Sequence, residues 1–317
     1  MNNIFKKVKM FVKDNVVLFF LFFITIFFAI ASDKFFTSKN IFLVIRQVSV
    51  LGVCALGVAI ITLSGSLDIS IGNQMTFVAL ICAYMMINLE INMWVAIGVS
   101  LLVSLVIGLI IGWTIDFFKI NPFVATLAFG TILSGGSFAL TGGYQIAHFS
   151  EAFKFISQGY IGDVPMPVII MLIIIAIGSF VLNKTYFGRY IYTVGGNAEA
   201  ARLSGINVNK VKICAHVIGS LLAGVAAIMM ASRLNTVSTT AGDSYTFDAM
   251  TAIMLGGVSV RGGKGKTSGI LIGMLIIGVL NNGLTLIGVE TFFQSIIKGI
   301  IMLIAICSDS LIYRSRG

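Results

Sequence analysis

Residues 183–212 hold the side chains best suited to polar chemistry, in a chain that is otherwise almost continuously apolar. The segment carries five basic residues and one acidic residue, Glu199. Charged side chains of this kind form hydrogen bonds and ion pairs with another molecule. The chemistry they offer is therefore recognition: the segment either docks a protein partner or lies as an amphipathic connector on the bilayer surface.

A short helix is predicted inside this segment. Asn197 can cap a helix that begins at residue 198, because its side chain can accept a hydrogen bond from a free backbone N–H of the first turn. Glu199 suits the positive end of the helix dipole, and Gly205 can adopt the left-handed conformation that ends a helix. Three residues are small enough to let another surface approach the backbone: Ala198, Ala200 and Ala201. The predicted helix, 198–204, has about two turns, so it must pack against something to be stable.

Residue types that could catalyse a reaction are scarce. Gly265-Lys266-Thr267 resembles the end of a phosphate-binding P-loop, but that motif needs a glycine where this chain has Val260,. The two histidines, His148 and His216, form no His-Glu-x-x-His zinc motif, and no Gly-x-Ser-Gly segment supplies an intramembrane nucleophile. The sequence therefore predicts a protein with no catalytic residues, no metal and no cofactor of its own.

The composition is that of a membrane protein. Hydrophobic residues make up 58% of the chain and charged residues 10%, against about 25% charged residues in soluble domains. A helix needs about 20 apolar residues to cross a bilayer. The sequence predicts an all-α polytopic transmembrane helical bundle, one domain over 1–317, with about ten helices. The predicted spans are 16–32, 42–63, 69–88, 92–112, 122–140, 166–182, 213–232, 246–260, 268–287 and 291–308.

The basic residues predict the orientation of this bundle. Ten crossings with a cytoplasmic N-terminus would place 15 of the 21 Lys and Arg residues in the cytoplasm and 4 outside, as the positive-inside rule requires. Both termini are then cytoplasmic, 141–165 is extracytoplasmic, and the net charge of +9 does not indicate nucleic-acid binding. Arg46 and Lys298 fall within spans, where snorkelling to the interface explains them. The terminal cytoplasmic charges are Lys6, Lys7, Lys9, Lys13, Arg314 and Arg316.

Two segments predict irregular backbone at membrane depth. They are 64–76, which contains Asp68, Asn73 and Gln74, and the glycine-rich 255–268. Such backbone survives in a bilayer only where it faces protein or a water-filled cavity. Interrupted spans in both halves of a chain are a feature of many transporters.

Several motifs together resemble one known family. Glu199-Ala200-Ala201-x-x-x-Gly205 looks like the EAA-x-x-x-G motif of ABC importer permeases, although the family's Ile-x-Leu-Pro continuation is missing here. The wider run 186–208 resembles the permeases of ribose-type simple-sugar ABC importers. Further matches are Asn121-Pro-Phe-Val-Ala-Thr-Leu127, Leu140-Thr-Gly-Gly143, 249–263, Gly278-Val-Leu-Asn-Asn-Gly-Leu284 and Leu67-Asp-Ile-Ser-Ile-Gly72. The resemblance covers roughly residues 45–310.

The resemblance implies a multi-pass permease of the bacterial cell membrane with three kinds of protein partner. A cytoplasmic ABC ATPase would bind ATP and magnesium, an extracytoplasmic sugar-binding protein would deliver the solute, and a second permease copy would complete the pathway. The outer segment 141–165 would meet the binding protein or act as a gate. The ATPase would dock on Asn197, Glu199, Ala200, Ala201, Arg202 and Gly205.

The same resemblance implies a pathway for a solute rich in hydroxyl groups. The candidate lining residues are Asp68, Asn73, Gln74, Asn121, Asn281 and Asn282, although each could instead support helix packing or a loop. The solute stays open among ribose, xylose, galactose and autoinducer-2, and the permease could pair with itself or with a sister chain. The alternative is a secondary transporter driven by an ion gradient, with Asp68 as its candidate carboxylate.

Overall fold

The computed structural model describes residues 16–314, with side chains described for 17–307. Lys6, Lys7, Lys9, Lys13 and Arg316 lie outside the described residues. The long helices are α1 (Val16–Ala31), α2 (Ser38–Leu63), α3 (Ile71–Ile87), α4 (Met93–Phe118), α5 (Pro122–Thr141), α7 (Met166–Lys184), α10 (Val208–Leu234), α11 (Asp243–Leu255), α12 (Thr267–Leu286) and α13 (Thr291–Arg314). The shorter helices are α6 (Glu151–Gln158), α8 (Tyr186–Gly196) and α9 (Ala198–Leu203).

Strands play a small part in the fold. The described residues contain β1 (Ile146–Ala147), β2 (Tyr160–Ile161), β3 (Val164–Pro165) and β4 (Thr236–Val237). They pair antiparallel as β1 with β4 and β2 with β3, in two separate two-stranded sheets. The predicted all-helical architecture is therefore confirmed.

Six helices are long and apolar enough to cross a bilayer: α2, α4, α5, α7, α10 and α12. Three shorter apolar helices cover Val17–Ala31, Ile71–Ile87 and Thr291–Cys307. Helix α11 has 13 residues, a length of about 20 Å, which is less than the hydrocarbon thickness of about 30 Å. The predicted span 246–260 overran this helix, because the chain turns out of it at Gly256 and Gly257, the latter with φ +81°.

Capping side chains set the ends of several spans. Asn92, Asn121 and Asn207 begin α4, α5 and α10, and each accepts a backbone N–H hydrogen bond at 2.9–3.0 Å. Lys119 and Asn235 adopt the left-handed conformation and end α4 and α10. Each of these helix ends depends on residues that are neighbours in the sequence. The sequence therefore predicted most helix boundaries to within a few residues.

Helix α10 lies at the centre of the bundle and packs against α2, α3 and α4. Small residues permit the close approach. A Cβ atom at Gly108 on α4 would lie 2.6 Å from His216 O on α10, and one at Gly57 on α2 would lie 2.8 Å from Gly219 O. Because lipid chains are as apolar as the helix surfaces, close packing through small residues is a main source of helix association in a bilayer.

The short helices occupy opposite ends of α10. At its C-terminal end, Ser232 Oγ donates to Phe153 O of α6 at 2.8 Å and accepts from Ser157 N at 2.9 Å. At its N-terminal end, α10 contacts α8 and α9. Since α10 has 27 residues, the two ends are about 40 Å apart. We refer to them as the α6 end and the α9 end.

The two segments predicted to be irregular are shorter than expected. Only 64–70 is non-helical in the first, because α3 begins at Ile71, so Asn73 and Gln74 are helical residues. In the second, the non-helical stretch is 256–266. The segment 141–165 contains α6 and the β2–β3 hairpin, and 183–212 contains α8 and α9.

Candidate functional site

Helix α9 is bounded by a cap at each end. Asn197 has an extended backbone, and its Oδ1 accepts a hydrogen bond from Ala200 N at 2.9 Å. At the other end Gly205 has φ +82°, and Ile206 N donates to Ala201 O at 3.0 Å. The predicted helix is thus present and ends one residue earlier than predicted. Caps at both ends compensate for its shortness.

The faces of α9 have different surroundings. Ala201 is fully buried where α9 packs on α8 and α10, Ala198 is half-buried, and Ala200 is exposed. Ala200 is therefore accessible to another surface, whereas Ala201 is covered by the protein's own helices. Glu199 and Arg202 form an exposed ion pair at 3.2 Å, a kind of contact that adds little stability but presents both signs of charge to a partner.

Leu203 is a functional candidate that the sequence reasoning missed. Its side chain is 83% exposed, on a helix whose Ala201 is completely buried. Two residues advance an α-helix by about 200°, so Leu203 points away from the bundle. The two-residue spacing between Ala201 and Leu203 is the feature of the sequence that could have identified Leu203 as exposed.

Tyr192 joins α8 to the connection between α11 and α12. Its hydroxyl donates to Gly265 O at 3.2 Å, and burial raises the pKa of this phenol above its ordinary value, so it stays a donor at neutral pH,. The connection leads directly into α12 at Thr267, with no strand before it within 256–266. The strand–loop–helix context of a P-loop is therefore missing from this described stretch.

Three backbone segments meet beside α9 in what we name the glycine junction, formed by Gly65, Gly195, Gly262 and Gly263. Gly263 N donates to Leu63 O at 2.9 Å. A Cβ atom at Gly195 would lie 1.9 Å from Leu63 O, and one at Gly262 would lie 2.7 Å from Gly65 N. Only glycine fits such contacts, so the ends of α2 and α8 and the α11–α12 connection touch backbone to backbone.

A buried polar cluster, the Asp68 network, comprises Ser66, Asp68, Ser70, Gln74 and His216. Asp68 accepts hydrogen bonds from Ser70 N at 2.8 Å and from Gln74 Nε2 at 3.1 Å. His216 on α10 places Nε2 2.9 Å from Ser66 Oγ and Nδ1 3.5 Å from Asp68 Oδ2. Two of the predicted pathway residues, Asp68 and Gln74, are therefore enclosed within the bundle.

Ser66, His216 and Asp68 follow the hydroxyl–imidazole–carboxylate order of a nucleophilic triad. Each of the three residues is at most 2% exposed, so a substrate has no access to the hydroxyl. The network supplies hydrogen bonds to a buried and irregular stretch of the chain, which is a structural role. Among the described residues, no group of three or more His, Cys, Asp or Glu side chains is placed to hold a metal ion.

A groove of about 420 Å³ lies between α3 and α5, and we name it the α3–α5 groove. Its polar lining is supplied by Asn73, Thr126, Thr131 and Ser134. Gly130 allows the two helices to approach, since a Cβ atom there would lie 3.1 Å from Asn73 Oδ1. Asn73 is half-buried, and it is the predicted pathway residue that lines this groove.

Two of the predicted pathway residues hold helices in place. Asn121 caps α5, accepting from Phe123 N at 2.9 Å. Asn282 on α12 exchanges two side-chain hydrogen bonds with Asn40 on α2, at 2.7 and 2.9 Å. Paired amides of this kind satisfy each other in an apolar interior, so they lock α2 to α12.

The sixth predicted residue, Asn281, belongs to a charged cluster. Its Nδ2 donates to Asp248 Oδ2 at 2.9 Å, and Lys298 Nζ lies 3.0 Å from Asp248 Oδ1. The cluster joins α11, α12 and α13, and Asp248 lines cavities of about 140 and 150 Å³. The snorkelling predicted for Lys298 is wrong, because its ammonium group pairs with a buried carboxylate that the sequence reasoning did not single out.

Arg46 also differs from its prediction. Its guanidinium donates to Gln158 O at 2.8 Å and lies 4.7 Å from the centre of the Tyr160 ring. Instead of snorkelling to the bilayer interface, this side chain ties α2 to the last residue of α6 and to the chain that follows it. The hydrogen bond and the cation–π contact together stabilise the α6 end.

A family comparison matches most of the chain. The branched-chain amino acid transport system / permease component family matches residues 40–306. No solved structure gives a significant match.

Individual relatives agree with that match. The chain is 40% identical to the ribose import permease protein RbsC of Bacillus subtilis over 291 residues, which is 91% of this chain and 90% of the relative. It is 36% identical to the ribose import permease protein RbsC of Escherichia coli K12 over 283 residues, 88% of each. The xylose transport system permease protein XylH of Escherichia coli K12 is 28% identical over 349 residues, 90% of this chain and 89% of the relative.

Proposed function

The chain belongs to the branched-chain amino acid transport system / permease component family, and we propose that it is the membrane-spanning permease subunit of an ATP-driven ABC importer for a simple sugar. The relatives named above support a sugar over an amino acid, since their names give ribose or xylose as the solute. The protein would cross the bacterial cell membrane many times, with both termini in the cytoplasm.

One structural observation carries the coupling part of this proposal. Helix α9 is capped at both ends, is held to the bundle by the buried Ala201, and directs Leu203 into solvent. An apolar side chain this exposed beside an ion pair is suited to insertion into a protein partner. The same helix carries the motif that resembles the ATPase-docking element of importer permeases.

The partner at α9 would be the ABC ATPase. That subunit, and not this chain, would bind ATP and magnesium. Docking would use the exposed residues of α9 and its caps. Closure of the ATPases on ATP would push α9, provided that ATP binds one state of the complex more tightly than the other. The contact residues are Asn197, Glu199, Ala200, Arg202, Leu203 and Gly205, with Ala201 holding the helix on its own bundle.

A second copy of the chain would cover the α3–α5 groove. Thr131 is exposed and Asn73 and Ser134 are half-buried on a helix pair that faces outward. Polar side chains that face lipid are unfavourable unless another helix or a water-filled path satisfies them. A dimer that buries this groove would provide both a covering helix and a water-filled path for these polar side chains. We therefore assign Asn73 to the solute pathway.

The segment 141–165 would receive the sugar-binding protein. Tyr144 is 79% exposed and Glu151 is exposed in the first turn of α6. Arg46 and Ser232 hold the segment to α2 and α10. A rigid, polar and aromatic surface of this type suits a transient protein contact.

The experiment that tests the proposal is uptake of labelled ribose, with xylose in parallel, into vesicles that hold this chain, its ATPase and its binding protein. Uptake that requires all three components and internal ATP is the expected result. Omission of each component in turn provides the controls.

Uptake by this chain alone, driven by a proton or sodium gradient, would overturn the proposal in favour of a secondary transporter. ATP-driven uptake of autoinducer-2 without uptake of either sugar would keep the importer class and replace the solute. Absence of sugar-stimulated ATP hydrolysis with every solute tested would remove the coupling assignment.

A further inference from the structure

The segment 64–70 is the non-helical chain between α2 and α3, and its polar side chains are buried. Ser64, Ser66, Asp68 and Ser70 are each at most 2% exposed. Hydrogen bonds from the Asp68 network replace the helical bonds that this stretch lacks. A buried irregular segment between two rigid helices is a place where the chain can shift without unfolding either helix.

One end of this segment touches the glycine junction. Leu63 O accepts from Gly263 N, and a Cβ atom at Gly195 would overlap with that same carbonyl oxygen. Gly195 lies two residues before Asn197, the N-cap of α9. Because these backbones touch without intervening side chains, a displacement of α9 reaches Leu63 directly, as packed interiors transmit strain.

The other end of the segment touches the α3–α5 groove. Ile69 N donates to Thr126 Oγ1 at 3.3 Å, and both residues line the groove. A Cβ atom at Gly130 would lie 3.7 Å from Ser70 Cα and 3.1 Å from Asn73 Oδ1. A shift of residues 69 and 70 would therefore move the wall of the groove.

His216 holds the middle of the segment from outside it. It lies on α10 and contacts Ser66 and Asp68. Its Nδ1 and the Oε1 of Gln74 are both buried without a hydrogen-bond partner. The distance of 3.5 Å from His216 Nδ1 to Asp68 Oδ2 is too long for a good hydrogen bond,. The present arrangement of the network therefore leaves two buried polar atoms without a hydrogen-bond partner, so a second arrangement that pairs them would compete with it.

We propose that segment 64–70 transmits the movement of α9 to the α3–α5 groove, and that His216 is the positioning residue that sets its two arrangements. The inference rests on the proposed function, because it concerns how ATP hydrolysis is coupled to solute passage. It assigns to Asp68 and Gln74 a part in coupling in place of contact with the solute.

The test compares sugar imported with ATP hydrolysed in the reconstituted complex of permease, ATPase and binding protein. His216→Leu removes both imidazole nitrogens, so uptake should fall more than hydrolysis, and the ratio of sugar to ATP should drop by about fivefold or more. His216→Gln keeps a group able to bond Ser66. We expect the yield of inserted protein to recover in this variant while the ratio stays below that of the wild type.

Ser104→Ala is the matched control. Ser104 Oγ donates to Ser220 O between α4 and the same helix α10, one turn after His216. Its loss should lower the yield of protein without changing the ratio of sugar to ATP.

Three outcomes separate the possibilities. A normal yield with a normal ratio in His216→Gln overturns the inference and leaves the proposed function intact. The inference also fails if His216→Leu lowers uptake and hydrolysis by the same factor, as a purely structural residue would. A wild-type complex that imports no sugar with ATP would instead refute the proposed function.

Discussion

Helix α9 and the buried cluster of Asp248, Asn281 and Lys298 are both polar, and they are built in opposite ways. The contacts of α9 lie within a few residues of one another, such as the Glu199–Arg202 pair at a spacing of three. Asp248 finds its partners 33 and 50 residues away, in Asn281 and Lys298. The first region is exposed at one end of the bundle, and the second is enclosed between three helices.

The difference separates recognition from stability. An exposed helix held by local caps can lose a partner contact without unfolding the bundle, because little of its surface is buried inside the chain. Loss of a partner of a buried carboxylate destabilises the bundle, because an uncompensated charge in an apolar interior is strongly unfavourable. Substitutions in α9 should therefore change coupling, and substitutions around Asp248 should change stability.

The largest effect on transport is expected from Gly205→Val. Gly205 has φ +82°, a conformation in which a β-branched residue is strained by about 1–3 kcal/mol, so the end of α9 should reorganise. Uptake should fall to background while the protein still inserts. Gly288→Val is the matched control, since Gly288 has φ +78° with equally open surroundings at the far end of α12. Wild-type uptake in the Gly205 variant would contradict the docking assignment.

Lys298→Met should produce the largest loss of stability. It leaves Asp248 without its cation, and we expect the free energy of unfolding to fall by about 2–3 kcal/mol, near the low end for a buried pair because the Lys298 side chain is 20% exposed. Thermal unfolding of the purified protein in detergent measures this change. Adding Asp248→Asn should restore most of the stability, since no uncompensated charge remains. A double variant as unstable as the single one would show that the pair does not account for the effect.

Leu203→Ser should weaken ATPase binding and leave the permease stable. Burying a leucine side chain at an interface contributes about 1.5 kcal/mol, or roughly tenfold in Kd. Binding of the purified ATPase to the permease in nanodiscs gives the affinity. Leu89→Ser removes another leucine with a largely exposed side chain, in the α3–α4 connection, and should have no effect on that affinity.

The smallest effect is expected from Glu199→Lys. The change replaces an ion pair by two like charges and places a cation at the positive end of α9, at a cost of about 1 kcal/mol. Co-purification with the ATPase should drop modestly. Glu151→Lys is the control, because Glu151 forms the same i, i+3 pair with Lys154 at the start of α6. Equal co-purification for both variants would show that the charge of Glu199 plays no part in docking.

The sequence predicted the regions whose structure depends on neighbouring residues. The caps at Asn197 and Gly205 and the body of α9 follow from residues within one turn. Most of the helical spans follow from runs of apolar residues, and the predicted span 246–260 began three residues late and continued past Gly256, where α11 ends. The sequence did not predict the contacts of the candidate pathway residues, because an amide in an apolar helix looks the same whether it lines a path or bonds another helix.

The six predicted pathway residues show this limit. The structure divides them among a helix cap at Asn121, an interhelical pair at Asn282, a charged cluster at Asn281, the Asp68 network and the α3–α5 groove. Asn121 alone carries a local signal of its role, because it precedes Pro122 at the start of a predicted span,. Nothing within a few residues of the other five positions distinguishes their environments.

What the sequence determined by itself is the membrane-spanning helical character of the chain and the capped helix that would meet a partner, because both arise from hydrophobicity and hydrogen bonding along short stretches. Only the tertiary structure decided that Asn40 meets Asn282 across 242 residues, that Lys298 turns inward to Asp248, and that His216 bonds Ser66. Polar groups in an apolar interior must find partners wherever the packing of helices places them. Their partners are therefore a property of the folded bundle rather than of the local sequence.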